Sequence, residues 1–566
     1  MTLVIIFISG IIILFLGYKF YGSFLCKEFE VDKITILPSK AKEDGVDFIP
    51  TKLWVLFGHH FSSIAGAGPI IGPITAALLF GWIPALLWIL IGAIFMGGLH
   101  DMASLVASVR NDGESISSIC KKYLSPVSYK TYLGFVLLAL IYIIIVFCDL
   151  TSSTFAPTST DPAQIKSSNG IAYASFFYII LAMCFGILTK TKKLSFIVAT
   201  CIFVPLVFIV IFATQYMPIM AIMSNANPKV IFSLIILAYC FIASLLPVWF
   251  LLQPRDYLSS FLLFACILFS FIGIIIAGPT GHINITFPAW TGWYAQGQGY
   301  LFPVLFVTIA CGAISGFHSM VSSGTTSKQV ESPKDIKRIG YGAMIVESVL
   351  ALIALCSIMI CFKGDTKGLT PNEIFATGFG NFVSSIGIPA IAGKTFALLA
   401  ISTFLLTTLD TCTRLARYIA EEFVGKKNFG LDLLYTFCIL ALPVIMVFVK
   451  MPDPANSDTF IPIWKAIWPV FGATNQLLAA LALLVIYIIR VYKKKSTWFI
   501  FIPMLFMMVT SIAGLGQLVI EGIHANNYLI AGLSGVLIIL AAIMCIDVIF
   551  FRIRSSHKKM KEEVDM

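Results

Sequence analysis

Apolar residues along the 566-residue chain gather in long unbroken blocks instead of alternating or forming one-sided stripes. A helix crosses a bilayer with ~20 mostly apolar residues. Fifteen stretches meet that requirement: roughly 3–25, 54–80, 84–110, 130–157, 170–189, 194–214, 230–252, 257–278, 300–323, 340–362, 392–420, 431–449, 462–492, 497–520 and 530–552. The polar intervals between them run to some thirty residues at most, too short for a soluble domain. The pattern predicts an all-α polytopic membrane protein with about 15 spans.

Composition narrows the class further. Hydrophobic residues make up 59% of the chain and charged ones 12%, against ~45–50% and ~25% in soluble domains. Mean hydropathy is +0.95. Collagen-like, disulfide-scaffold, disordered and nucleic-acid-binding classes are excluded. The net charge of +10 reports topology before any acidic partner. If the 26–53 loop is cytoplasmic, 30 of the 38 Lys and Arg lie on that side, 7 lie outside, and Lys19 falls within the first span. That asymmetry puts the N-terminus outside and the C-terminus inside a cell (inner) membrane. Residues Met1 to Leu16 contain no Lys or Arg and no Ala-x-Ala site follows, so the first stretch reads as a span and not a signal peptide. The thirteen Cys are scattered with no C-x-x-C pair, as buried thiols packing like small apolar residues would be.

Two spans break the pattern of a plain membrane helix. The second contains Gly58-His59-His60-Phe61-Ser62-Ser63-Ile64-Ala65-Gly66-Ala67-Gly68-Pro69, and the ninth contains Cys311-Gly312-Ala313-Ile314-Ser315-Gly316-Phe317-His318-Ser319. Gly and Pro at mid-span free backbone groups that hydrocarbon cannot satisfy. A single Gly-Pro pair also marks a simple kink, but these two interruptions match. Each opens a run of five spans, and the runs have opposite orientation. That is the signature of an inverted-repeat secondary transporter. The expected organisation is an N-terminal span and cytoplasmic loop (1–53), a first repeat (54–214), an inserted hairpin with loops (215–299), a second repeat (300–492), and accessory spans with a basic cytoplasmic tail (493–566).

The segments GHHFSSIAGAGPIIGP (58–73), GLHDMASLVASVRNDGESI (98–116), SGFHSMVSSGTTSKQ (315–329), TTLDTCTRLARY (407–418) and FGATNQLLAALAL (471–483) closely resemble motifs of the carbon starvation protein A family of peptide transporters. The resemblance covers about residues 50 to 485. It implies uptake of peptides during carbon starvation, with pyruvate import in some relatives, on a five-plus-five inverted-repeat (LeuT-like) core with additional helices. The chain is shorter than many members and lacks part of their C-terminal region, which leaves peptide and pyruvate both open as substrate. The resemblance carries over no catalytic residues, and none are expected.

Candidate chemistry comes from polar groups inside spans, where they are costly and default to functional or paired roles. Glu347 sits about two turns into its span and is either a proton carrier or a hydrogen-bonded structural acid. Asp410, Arg414 and Arg417 share a helical face; Asp410 and Arg414 are spaced to pair, as a structural ion pair or a gate. Asp101, beside His100 and with Arg110 beyond, is an interfacial anchor or part of a gate. Asp547 lies outside both repeats and reads as structural. His59 and His60 precede the first break and His318 lies within the second, so these imidazoles are candidates for proton or substrate contact. A metal site has no ligand spacing to support it.

A half-helix N-terminus suits a carboxylate, so the substrate site is placed at Gly66, Gly68, Pro69, Ser315, Gly316 and Ser319. Gly312 and the hydroxyls of Ser62, Ser63 and Ser322 stand nearby, although small residues also serve ordinary helix packing. Thr407 and Thr408 lie on the helix that in five-plus-five transporters carries hydroxyls for sodium, and their Thr-Thr-x-Asp run looks like that of betaine-type carriers. Threonine bonded back to its own helix is the alternative. Ion coupling is therefore assigned to Glu347, His59, His60, His318, Thr407 and Thr408, with protons favoured and sodium left open. No cofactor is expected.

The combined expectation is a secondary transporter importing a small carboxylate-bearing nutrient, peptide first and pyruvate second, by proton symport. Its partners would be that small molecule and membrane lipid, with no nucleic acid. No P-loop appears for direct ATP drive. The rivals are a haem or quinone membrane oxidoreductase, for which the adjacent His59 and His60 diverge by about 100° on a helix, and a passive channel.

Overall fold

The computed structural model describes residues 2–564 apart from 46, 158–161, 226, 248, 279–282, 367, 427, 450, 454–455 and 526. The first residues of the expected external loop 279–299 lie outside that set, and so do the side chains of the basic tail.

Helices form at all fifteen apolar stretches. They are α1 (Thr2–Glu28), the pair α2 (Leu53–Ile64) and α3 (Gly68–Phe80), α4 (Trp82–Val109), α5 (Pro126–Phe155), α6 (Pro162–Lys190), α7 (Phe196–Ala213), α8 (Pro228–Leu245) and α9 (Leu252–Ala277). The ninth stretch is in three pieces, α10 (Leu301–Thr308), α11 (Ala310–Ala313) and α12 (Phe317–Gly324). There follow α13 (Pro333–Met359), α14 (Pro371–Ser384), α15 (Ala390–Val424), α16 (Phe429–Val447), α17 (Ile463–Tyr492), α18 (Trp498–His524) and α19 (Tyr528–Val564). Among the described residues, thirteen helices are long and apolar enough to cross a membrane, or fourteen when α2 and α3 count as one bent span. The pieces of the ninth stretch are each too short to add to that number. The sequence pattern did not suggest α14. It starts at a capping box, with Thr370 and Glu373 exchanging bonds, and Pro371 in its first turn.

One face of the bundle gathers the loops after α1, α4, α12 and α17. Thr51 bridges to Val330, Arg110 donates to the Phe29 carbonyl at 2.6 Å, and Lys495 pairs with Glu30 at 2.8 Å. It is called the basic face below. The opposite face carries the 283–300 loop, whose Ala289 carbonyl accepts from Ile83 at 3.1 Å.

Burial separates centre from edge. In α17 94% of the membrane window is buried, whereas in α7 it is 22%. The packing is paired. In one half α8 lies on α5 and α9 on α2; in the other α16 lies on α15 and α17 on the pieces α10–α12. Helices α5 and α15 pack on each other, α17 crosses to α5, and α9 crosses to α15. The hairpin expected as an insert, within 215–299, packs α8 on α5 and α15 and α9 on α2 and α15. Of the two helices before it, α6 packs on α5, α9 and α15, while α7 rests mainly on α6.

Candidate functional site

The first break follows from Pro69, which has no N–H and cannot continue the helix before it. Chain direction changes by 42° between α2 and α3. Glycine is needed here because neighbours come close. A Cβ on Gly66 would meet Thr408 Oγ1 at 2.7 Å, and one on Gly68 would meet Cys311 Cβ at 2.3 Å. Helix α3 has no side-chain cap at its N-terminus.

The second break is organised differently. Helical geometry is lost at Ile309, and again at Ile314, which is fully extended. Asn475 of α17 fills the gap. Its backbone carbonyl accepts the Gly316 N–H at 3.0 Å, its Oδ1 accepts the Phe317 N–H at 3.0 Å, and its Nδ2 donates to Ser315 Oγ at 3.0 Å. Backbone freed inside a membrane is thereby satisfied by protein.

Between the breaks lies a small enclosed cavity. Gly66, Gly68, Cys311, Ser315, Thr408 and Asn475 contribute its small and polar lining; Ile64, Ile143, Phe147, Phe317 and Phe471 contribute the rest. Its free volume is about 10 Å³, room for about one water. Phe147 and Phe471 meet edge-on, with centroids 5.8 Å apart. Toward the opposite face, Asp149 pairs with Lys229 at 2.6 Å and accepts the Trp464 N–H at 3.1 Å.

On the basic-face side of the cavity sits a fully buried acid–imidazole cluster. His318 Nδ1 lies 2.8 Å from Asp101 Oδ2, and its Nε2 lies 3.4 Å from Glu347 Oε2. His100 Nδ1 lies 2.8 Å from Asp101 Oδ1, and His60 Nδ1 lies 2.8 Å from Thr326 Oγ1. Four interior elements, α2, α4, α12 and α13, are joined through these side chains. Two carboxylates among imidazoles in an apolar interior are tolerable only where protons balance the charge.

A second buried cluster lies between α2, α8, α9 and α15. Arg255 makes a close ion pair with Asp410, and both contact the Tyr239 hydroxyl at 2.7 Å. The adjacent Asp256 lies 3.5 Å from Arg255 and 3.2 Å from His59, and accepts from Ser63 at 3.3 Å.

Several expected roles change accordingly. Asp410 does not pair with Arg414. Arg414 instead donates to the carbonyls of Ala243 and Leu246 at 2.8 and 2.6 Å, satisfying the open end of α8, while Arg417 meets Glu421 and Asp432. Asp101 belongs with the imidazoles and not with a separate gate. Gly316 and Ser319 stand off the cavity. A Cβ on Gly316 would meet the Asn475 carbonyl oxygen at 2.3 Å, and the Ser319 hydroxyl bonds back to the Gly316 carbonyl at 2.7 Å. Pro69 is buried in the first turn of α3. Thr407 and Thr408 bond back to the carbonyls of Thr403 and Phe404 at 3.0 and 3.1 Å, although Thr408 also lines the cavity. Asp547 accepts from Ser125 and Ser128. His59 and His60 do diverge, one toward α9 and one toward Thr326.

Sequence reasoning missed Asn475, Arg255, Asp256 and Tyr239. The first was signalled by an amide in the middle of a 30-residue apolar helix, and Arg255-Asp256 by two adjacent charges near the start of one.

Fold and site together define a multi-pass membrane transporter built around two interrupted helices. The sequence profile described as carbon starvation protein CstA matches residues 2–369 and 364–514, and the chain belongs to that family. The peptide transporter CstA of Campylobacter jejuni is 31% identical over 585 residues, which cover 90% of this chain and 79% of that one. The Escherichia coli pyruvate/proton symporter BtsT is 28% identical, over 90% of this chain and 81% of that one. Among solved structures, a manganese transporter of Eremococcus coleocola aligns over 90% of this chain and 99% of its own with a TM-score of 0.41 and 13% identity, a likeness that carries no argument about this chain.

Proposed function

We propose that this protein imports a small carboxylate-bearing nutrient by proton symport, with peptide as the first substrate class. The carrying observation is the adjacency of the enclosed cavity at the uncapped N-terminus of α3 to the buried cluster of Asp101, His318 and Glu347. A substrate carboxylate would be held at the start of α3 by the backbone N–H groups of Ala67 and Gly68 and the helix dipole, the Gly66 N–H being bonded to the Ile64 carbonyl at 2.9 Å. Ser315, Thr408 and Asn475 would orient it. Proton movement through His318 and Glu347 would then be linked to exposure of the cavity to one face and the other. On this reading the basic face is cytoplasmic, and the repeats are α2–α5 with α8–α9, and α10–α13 with α15–α17. Helices α6 and α7 are the insert.

One observation favours pyruvate as the second reading. Among the described residues no acidic side chain lines the cavity, so a peptide's ammonium group would have only carbonyls and hydroxyls to meet, whereas pyruvate brings no such group. Both readings are tested by uptake into proteoliposomes of a labelled dipeptide and of labelled pyruvate, under imposed proton or sodium gradients. The proposal expects concentrative uptake under an inward proton gradient, with competition from unlabelled dipeptide. Accumulation that follows sodium alone, or that never exceeds equilibrium, overturns it.

A further inference from the structure

The symport reading uses the cluster around His318 and leaves the second buried cluster without a task. Asp256 and Asp410 bring two carboxylates and Arg255 one guanidinium, with Arg255 and Asp256 fully buried and Asp410 1% exposed. Arg255 contacts both acids and Arg414 adds a second positive charge that acts on Asp410, so Asp256 is the acid left with only a shared partner. An undercompensated carboxylate in such surroundings is costly, and a positive charge beside it would relieve that cost. The base placed to carry it is His59, 3% exposed, with Nδ1 3.2 Å from Asp256 Oδ2. Neither imidazole nitrogen of His59, nor Asp256 Oδ1, has an aligned hydrogen-bond partner among the described residues.

We propose that His59 and Asp256 form a second proton-binding centre, separate from the His318 cluster, and that the proton held there locks α2 against α9. Helix α2 is suited to be a locked element. It has twelve residues, ends at the first break, and forms the wall between the cavity and the basic face. Beside the stacking of Phe57 and Phe61 on Phe264 of α9, it has polar attachments: His59 and Ser63 to Asp256, Ser62 to Ser259 at 3.1 Å, and His60 to Thr326 at 2.8 Å. Through Asp256, Arg255 and Asp410 the same contact reaches α15. With the proton on His59 the imidazolium and Asp256 attract. Once it passes to water at the basic face, the neutral ring leaves Asp256 with Arg255 and Ser63 alone, and α2 is freed.

The groups presented toward this end of α2 from the packed elements are Arg255 and Asp256 of α9, Asp410 of α15, His318 of α12 and Glu347 of α13. Behind them stand Tyr239 of α8, Tyr178 of α6 and Asp101 of α4. Lys337 and Arg338 of α13 turn away, to Ser23 and Asp335. His59 is thus the basic group that contacts Asp256 without already serving another acid.

The proposal rests on the transport reading for the purpose of a lock, but its test does not. Hydrogen–deuterium exchange of α2 amides in the purified full chain, corrected for intrinsic rate, reads the opening of α2 directly. In the wild type, protection of residues 53–64 should fall about tenfold, an ordinary coupling magnitude, as the pH is raised. The step should persist in Glu347→Gln and vanish in both His59→Gln and Asp256→Asn, while α5 stays protected in all four proteins. Absence of the step in the wild type overturns the proposal, and so does its survival in the His59 and Asp256 variants. A change produced by sodium at fixed pH and lost only in Asp256→Asn would reassign the centre to a metal cation and equally overturn it. If proton-driven uptake fails while the α2 step is seen, the symport reading falls and the second centre stands.

Discussion

The two breaks look alike in sequence, each a glycine-rich interruption of an apolar span, yet they are stabilised in different ways. At the second, Asn475 takes up the Gly316 and Phe317 N–H groups, and a Cβ at Gly316 has no room against α17 backbone. At the first, glycines pack directly against the Thr408 and Cys311 side chains beside the cavity, and the N-terminus of α3 has no side-chain cap. The second break is closed by bonds from a neighbouring helix; the first is closed by side-chain packing and leaves the start of α3 uncapped. Glycine permits the close approach in both places, but what it approaches differs, a distinction that composition alone does not carry.

The largest effect should come from crowding the second break. In Gly316→Ala the new Cβ would lie 2.3 Å from the Asn475 carbonyl oxygen and 2.5 Å from the Ala479 nitrogen. Both obstacles are backbone, so the cost should reach or exceed the ~1–3 kcal/mol of ordinary overpacking. Little monodisperse protein should be recovered in detergent chromatography; a normal yield with normal uptake would erase the contrast between the breaks. Gly68→Leu should act first on uptake. The new side chain fills the cavity beside α3, so substrate uptake should fall to background, with a reduced yield alongside because its Cβ would lie 2.3 Å from Cys311 Cβ. Full uptake in that variant would make the first break a mere kink.

A smaller loss is expected for Asn475→Ala. Removing the amide leaves the Phe317 N–H without its acceptor, which costs about 1–3 kcal/mol for a buried group. Thermal unfolding in detergent should shift downward, with part of the uptake retained. An unchanged unfolding temperature would show that the second break is held by its backbone contact alone. The smallest effect belongs far from both breaks. Glu30, on the basic face, has its carboxyl held down to about 2 by hydrogen bonds from Lys495 and Lys33. A depressed acid contributes above its ordinary value, near 4.5, and loses that contribution as pH falls toward about 2. The group is exposed to solvent, so Glu30→Gln should leave uptake and neutral-pH stability almost unchanged. A large loss would mean that the basic-face loops matter more than their exposure suggests.

Much of the fold was legible because each span must be apolar along its whole length, and every expected span carries a helix. How the hairpins pack was not. Helices α6–α7 and α8–α9 are two consecutive hairpins that charge bias and hydropathy treat as interchangeable; only packing distinguishes them. The cavity lining was legible where glycine and serine break a span, as at Gly66, Gly68 and Ser315, and at Thr408, a hydroxyl inside the unbroken α15. The site was not legible where function depends on pairs distant in sequence. Asp410 and Arg414 are four residues apart and suggested a pair, but Arg255 reaches Asp410 from another helix. Glu347 has no cation near it in sequence, yet His318 stands 3.4 Å away.

The division between a ligand-facing break and a proton-bearing cluster is tested most directly at Glu347. Glu347→Gln keeps the shape and hydrogen-bonding capacity of the side chain but cannot release a proton. In proteoliposomes the account predicts that accumulation driven by a proton gradient collapses while exchange of labelled for unlabelled substrate, with no gradient, continues. Proton-driven accumulation that survives intact in the Gln variant would contradict it.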